Sequence, residues 1–186
     1  MKRHLICRTD SYSFSIFEKR MFWGVKVQRI DKILNHNLFI CNLNKNNAAE
    51  AGRCFCRHDM THFLDVARIG MILNLEERQN IDKELIYAAG LLHDLGKHRQ
   101  YDEGIPHEKA GAEIAPIILR ECGFNEKETG VIIQAILAHR DSASAEAGGL
   151  TGILYRADKA SRACFCCKAE QECNWKRERK NLTIKY

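Results

Sequence analysis

Apolar residues in this chain recur at intervals of three and four, and only two prolines, Pro106 and Pro116, interrupt its 186 residues. Phe63, Val66, Ala67, Gly70 and Leu73 show the pattern most clearly. Such spacing stripes one face of a helix rather than one face of a strand. A chain of this size buries a sizeable core as one domain. The expected fold is therefore all-α, a helical bundle of about five to seven helices.

Residues 1–27 read as an N-terminal extension in which Ser11 to Ile16 alternates like a short strand. Residues 28–43 predict a first helix on Ile30, Ile33, Leu34 and Leu38, and the polar residues 44–53 predict a loop. A helix is expected from Thr61 to Glu76. The next, capped by Asn80 or Asp82, should run to about Leu95, with Gly96 as its terminator. Pro106 introduces a helix from His107 to Glu121 that Pro116 should kink or break. Asn125 and Glu128 suit a capping box for a helix ending near His139. Ala143 to Gly149 reads as a loop, and Leu150 to Ala163 as the last helix. The core domain is expected over 28–165, with 166–186 a basic, cysteine-containing tail.

The formal charge of +5 is unevenly spread. Residues 1–32 carry eight Lys/Arg against three Asp/Glu, and residues 156–186 carry nine against four. The intervening core is acidic, with 12 against 17. The tail Lys176-Arg177-Glu178-Arg179-Lys180 reads first as a solvated end, with attraction to phosphate or nucleic acid as the alternative. No aromatic-interleaved basic face for single strands is evident. No run of about 18 apolar residues occurs, so no membrane span or membrane partner is expected. No secretory signal is recognised, and a cytoplasmic location is the expectation.

Six residues read as one metal site: His62, His93, Asp94, His107, His139 and Asp158. Their nitrogen and oxygen donors suit iron, manganese, cobalt, zinc or magnesium, one ion or two. The sharpest element is Leu91-Leu92-His93-Asp94-Leu95-Gly96-Lys97. Adjacent helical residues point about 100° apart, but both side chains can converge on one centre at a helix end. A carboxylate has two oxygens, so Asp94 suits a bridge between two cations. Asp158, flanked by Ile153, Leu154 and Ala157, needs a cation or partner if buried. Pairing with Arg156 or Lys159 is the plainer alternative.

In order and context these residues resemble the HD-domain superfamily of metal-dependent phosphohydrolases. The matching pieces are His62-Phe63-Leu64-Asp65-Val66-Ala67, the His93-Asp94 run and Ala157-Asp158-Lys159, within about residues 56–165. Pro106-His107-Glu108-Lys109-Ala110-Gly111-Ala112 and Ala138-His139-Arg140 add two histidines that are similar to those of the two-metal, YqeK-like branch. The GYP segment of the cyclic-dinucleotide phosphodiesterases is absent. The resemblance implies hydrolysis of a phosphate ester or anhydride of a small substrate, nucleotide in the first instance, by a metal-activated hydroxide. Asp94, Lys97, His107 and His139 are the expected catalytic residues. With one metal, His62, His93, Asp94 and Asp158 would hold it, leaving His107 and His139 to the substrate. Lys97 and Arg140 are candidate phosphate contacts. The segments Arg99 to Ile105 and Asp141 to Gly149 are the expected pocket rim. A non-catalytic metal- or nucleotide-binding regulatory module and a nucleic-acid phosphodiesterase are the alternatives. His58 is expected near the site, behind the ligands.

Nine cysteines are present, expected to be reduced. Cys164 and Cys167 have the C-x-x-C spacing, Cys173 follows, and Cys56 precedes the His62 helix. These four are a candidate structural zinc or iron–sulfur site. The alternative is free thiols packed as small apolar residues.

Overall fold

The computed structural model describes residues 27–186, so all of the expected N-terminal extension but Val27 lies outside the described residues. Eight α-helices follow in order: α1 Gln28–Leu34, α2 Asn37–Ala49, α3 Met60–Glu76, α4 Lys83–Leu92, α5 Lys97–Asp102, α6 His107–Glu121, α7 Glu126–Ala138 and α8 Gly149–Ala160. Short 3₁₀ turns occur at Ser142–Glu146, Cys164–Cys166 and Arg177–Arg179. The described residues contain no strand, and the all-α expectation holds. None of the described helices is long and apolar enough to cross a membrane.

The core forms where α3 lies along α4 and α8, and α7 along α6 and α8. Phe63, Leu91, Leu92, Ile118, Ile132, Ile136 and Ile153 are buried there. Each such side chain contributes roughly 1.5–3 kcal/mol through its removal from water. Local chemistry fixes where the helices start. Asp59 accepts from the His62 N–H at 3.1 Å and caps α3. Asp82 caps α4, while Asn125 and Glu128 form the expected capping box of α7.

Several local expectations are corrected. The first predicted helix is two helices, broken at Asn35 and His36. There the Asn35 side chain donates to the Asp31 carbonyl, and His36 Nδ1 accepts from the Leu38 N–H to cap α2. The predicted polar loop 44–53 is largely helical, because α2 runs to Ala49. Pro116 does not break α6, which runs on to Glu121 with Ala115, Ile118 and Leu119 buried beyond or beside it. Burial there outweighs the one lost backbone hydrogen bond. Residues 99–102 of the expected 99–105 rim lie in α5. The helix before the His93-Asp94 pair ends at Leu92, and the pair sits in a tight turn before α5.

Gly96 is not a left-handed terminator, since its φ is −86°. It is a point of close approach. A Cβ there would stand 2.5 Å from the Gly111 nitrogen and 2.7 Å from the carbonyl carbon of Ala110. The turn carrying His93 and Asp94 therefore rests directly on the backbone of α6, the helix that begins with His107.

Helix α2 explains why its sequence misleads. Asn42, Asn46 and Glu50 are buried at intervals of four, so its inward stripe is polar. Asn46 donates to the Asp94 carbonyl at 2.9 Å and accepts from the His98 N–H at 2.8 Å, clamping both sides of the turn. Asn42 Oδ1 stands 2.7 Å from His98 Nε2. Glu50 accepts from the His58 N–H at 2.7 Å and the Tyr101 hydroxyl at 2.6 Å, and meets His58 Nδ1 at 2.6 Å. Burial would raise the Glu50 carboxyl, but hydrogen bonds and charge from His58 outweigh it, lowering the pKa from 4.5 to about 2.

Gly96→Ala should destabilise the fold by about 1–3 kcal/mol, because rigid backbone must move to admit the methyl; urea unfolding of the two proteins measures the difference. A carboxyl lowered on folding contributes stability above its unfolded pKa and loses it as pH falls through the folded value. For Glu50 that window runs from about 4.5 down to about 2. Metal-free Glu50→Gln should lose less stability than the parent across this window, as measured by urea midpoints at successive pH values.

Candidate metal centre

The six predicted ligands come from five separate places in the chain and meet at one end of the bundle. His62 lies in the first turn of α3, and His93 and Asp94 follow α4. His107 opens α6, His139 closes α7 and Asp158 lies in the last turn of α8. His62, His93, Asp94 and Asp158 each offer an atom within 4.8 Å of the others, and so do Asp94, His107 and His139. Asp94 belongs to both groups.

Its two oxygens face different partners. Oδ2 stands 3.2 Å from His93 Nε2, 3.5 Å from His62 Nε2 and 3.7 Å from His58 Nε2. Oδ1 stands 3.0 Å from His107 Nε2 and 3.4 Å from His139 Nε2. Asp158 Oδ1 is 3.6 Å from His62 Nε2.

The opposite edge of each imidazole is held. Nδ1 of His93 meets the Gly90 carbonyl at 2.8 Å, and Nδ1 of His139 meets the Ile136 carbonyl at 2.6 Å. A carbonyl only accepts, so these Nδ1 atoms carry hydrogen and leave the Nε2 lone pairs facing Asp94. His62 Nδ1 reaches the Ser161 hydroxyl at 3.2 Å, and Ser161 itself donates to the Asp158 carbonyl. His107 Nδ1 contacts both the Gln100 side-chain oxygen and, at 3.3 Å, the Lys97 ammonium. Only the Gln100 contact suits a ring that ligates through Nε2.

The donor set fits a divalent cation. Nε2 of His62, Nε2 of His93 and Oδ1 of Asp94 are buried without a hydrogen-bond partner. Such atoms cost about 1–3 kcal/mol each unless something satisfies them. Burial alone would raise the Asp94 carboxyl, but the surrounding imidazoles, His93 and His58 foremost, hold it well below the carboxylate range. Burial lowers His62 and His107, favouring the neutral ring that a metal requires. Burial also disfavours charge on His93, yet Asp94 outweighs it and raises that ring. The positive charge Asp94 draws toward itself is the kind a cation supplies.

Asp158 differs. Burial opposes its ionisation, but Arg162 and Lys159 more than compensate and hold its carboxyl low. It pairs with Lys159 and, at 3.3 Å, with Arg162. The alternative partner Arg156 instead pairs with Glu77. Lys97 is buried behind His107, and burial pushes its ammonium pKa down. Arg140 points to Glu108 at 3.3 Å.

Sequence reasoning placed His58 near the site and missed Glu50, Asn46 and Gln100. The four-residue spacing of Asn42, Asn46 and Glu50 was the available signal for α2. Nothing local marks Gln100, whose role appears only when α5 folds beside α6. Of the candidate sulfur ligands, Cys56, Cys164 and Cys173 line one cavity, while Cys167 lines a neighbouring one with Cys164.

Residues 60–171 match the HD domain family. A protein of Clostridium beijerinckii is 46% identical over 160 residues, covering 86% of this chain and all of that one. Ribonuclease Y of Mycoplasma mycoides is 35% identical over 98 residues, which cover 48% of this chain and 23% of the ribonuclease. The crystal structure of a predicted HD superfamily hydrolase from an uncultured Thermotogales bacterium shares the fold at a TM-score of 0.53 and 24% identity, covering 77% of this chain and 81% of that one. The matched stretch spans more than half of the chain and contains all six gathered His/Asp residues, and the chain belongs to the HD-domain superfamily of metal-dependent phosphohydrolases.

Proposed function

We propose that the chain hydrolyses a phosphate ester or anhydride of a small, nucleotide-like substrate at a two-metal centre bridged by Asp94. The observation that carries the substrate class is a cavity of about 560 Å³ lined by Arg140, Lys159 and Arg179 together with Tyr155 and Trp175. Arg140 directly follows ligand His139, and Lys159 directly follows ligand Asp158. Three cations against the one carboxylate of Glu178, with two aromatic rings, suit phosphoryl oxygens beside a planar base. The volume falls in the range of small-molecule sites.

His62, His93, Asp94 and Asp158 would hold one ion, and Asp94, His107 and His139 the other. Bound divalent ions supply a water of lowered pKa and neutralise phosphoryl charge. The chain supplies the rest. Nδ1 anchors on His93 and His139 keep the lone pairs aimed at Asp94. Lys159 balances Asp158 while lining the cavity, and its ammonium lies 5.1 Å from the Tyr155 ring centroid. Arg140 and Arg179 would orient the phosphoryl group. Of the expected rim, only Ser142 borders this cavity; residues 99–105 do not, and the C-terminal tail takes their place.

A second reading, a nucleic-acid phosphodiesterase, is favoured by the segment similar to ribonuclease Y. RNA binding that weakens steeply with salt, together with RNA cleavage, would select it; nucleotide hydrolysis without RNA cleavage selects the first.

The purified protein should carry two divalent ions per chain, by elemental analysis and titration of the chelated protein. Asp94→Ala should abolish both and lower hydrolysis by roughly 100-fold or more, since even groups supporting metal ligands cost about 10–100-fold. His139→Ala should retain one ion. Retention of both ions by Asp94→Ala would sink the bridge. Arg140→Ala and Arg179→Ala should raise KM for a nucleotide by roughly tenfold, about 1.4 kcal/mol, with metal content unchanged.

A further inference from the structure

The segment after α8 supplies none of the six His/Asp ligands, yet it is not a solvated end. Asn181 is buried and its side chain donates to the carbonyls of Lys159 at 2.7 Å, Arg162 at 2.9 Å and Ala160 at 3.3 Å. Lys180 donates to the Glu170 carbonyl at 2.6 Å and pairs with its carboxylate at 2.9 Å. These bonds fold the tail back across the end of α8 and seat its cysteines against the segment before α3.

Cys56, Cys164 and Cys173 then share one cavity of about 320 Å³ with Arg162 and Trp175. Cys167 follows at the end of a single 3₁₀ turn, its N–H donating to the Cys164 carbonyl at 3.2 Å. The cavity wall carries positive charge, with the Arg162 guanidinium 4.3 Å from the Trp175 ring centroid. Arg162 Nε is buried without a hydrogen-bond partner, while Nη2 reaches Asp158 at 3.3 Å.

We propose that Cys56, Cys164, Cys167 and Cys173 hold an iron–sulfur cluster, separate from the His/Asp ions. Four thiolates are the usual holders of such a cluster, and their charge would be offset by Arg162. A single zinc is the competing soft-metal centre. With Zn–S bonds of about 2.3 Å in a tetrahedron, it needs its sulfurs within about 3.8 Å of one another. Among the described residues, no three of these sulfurs gather within 4.8 Å, whereas the His/Asp ligands do. Cys56, Cys164 and Cys173 around one volume, with Cys167 one 3₁₀ turn beyond Cys164 beside the adjoining cavity, match a cluster, which spreads its thiolates around several irons.

The test uses the full chain, purified without oxygen, with iron, zinc and acid-labile sulfide measured per chain alongside visible absorption and electron paramagnetic resonance after reduction. The parent should contain acid-labile sulfide, and Asp94→Ala, freed of ions at the His/Asp centre, should contain iron and sulfide in near-equal amounts. Cys164→Ser, Cys167→Ser and their pair should lose at least tenfold of the sulfide and the visible chromophore; Cys41→Ser should lose neither. Asp94→Ala should keep the sulfide, which separates this centre from iron at the His/Asp site. Sulfide content of the parent decides the matter even if the serine variants fold poorly. One zinc per chain without sulfide would overturn the cluster, and absence of any cysteine-dependent metal would overturn the centre.

Discussion

The Asp94 carboxylate is buried at 3% side-chain exposure and is surrounded by five imidazoles. An ion so placed is costly to keep from water, by several kcal/mol even after relaxation. Asp158 meets that cost with Arg162 and Lys159, two fixed cations. Asp94 makes no comparable close ion pair with a Lys or Arg among the described residues; its partners are imidazoles, which carry charge only when protonated. The arrangement is therefore stable as a protein only because so much of the chain braces it. The histidines are anchored at their far edges, the turn is clamped by Asn46, and the glycine contact with α6 fixes its height. Function and fold share the same segment, since every residue from Leu91 to His98 is buried.

This sharing explains which parts of the structure were readable from the chain. The clustering of these side chains was legible because few arrangements other than a metal site need four histidines and two aspartates in this order. The apolar stripes of α3, α6 and α7 were legible because their buried positions recur every three or four residues. Helix α2 was not, since it buries amide and carboxylate groups and looks like a loop by polarity. Pro116 misled for the opposite reason: a local rule predicts a break, but the packing of Ile118 and Leu119 holds the helix together. Gly96 was recognised as special but for the wrong cause, because close approach between remote backbones leaves no local trace. The folded-back tail was equally hidden. Its clamp depends on Asn181, one polar residue in a stretch whose charge suggested only solvent.

The tail also changes the meaning of the basic C-terminus. Arg179 and Trp175 belong to the wall of the cavity that Arg140 and Lys159 also line, and Trp175 lines the sulfur-bordered cavity as well. Arg162 touches both regions, with its guanidinium between Asp158 and Trp175. One short segment thus closes two neighbouring spaces, and charge placed in either is felt by the same arginine.

Helix α2 has a kinetic consequence. Its single Asn46 side chain holds backbone on both sides of the His93-Asp94 turn, while the helix itself packs on α1, α5 and α6 rather than within the main α3, α4, α7 and α8 core. Peripheral elements open at lower free energy than the core they lean on. A transient detachment of α2 would free the turn, release His58 from Glu50 and admit water to Asp94 while the bundle stays folded. The lifetime of a bound ion would then be governed by the opening rate of this one helix, and not by the unfolding rate of the protein.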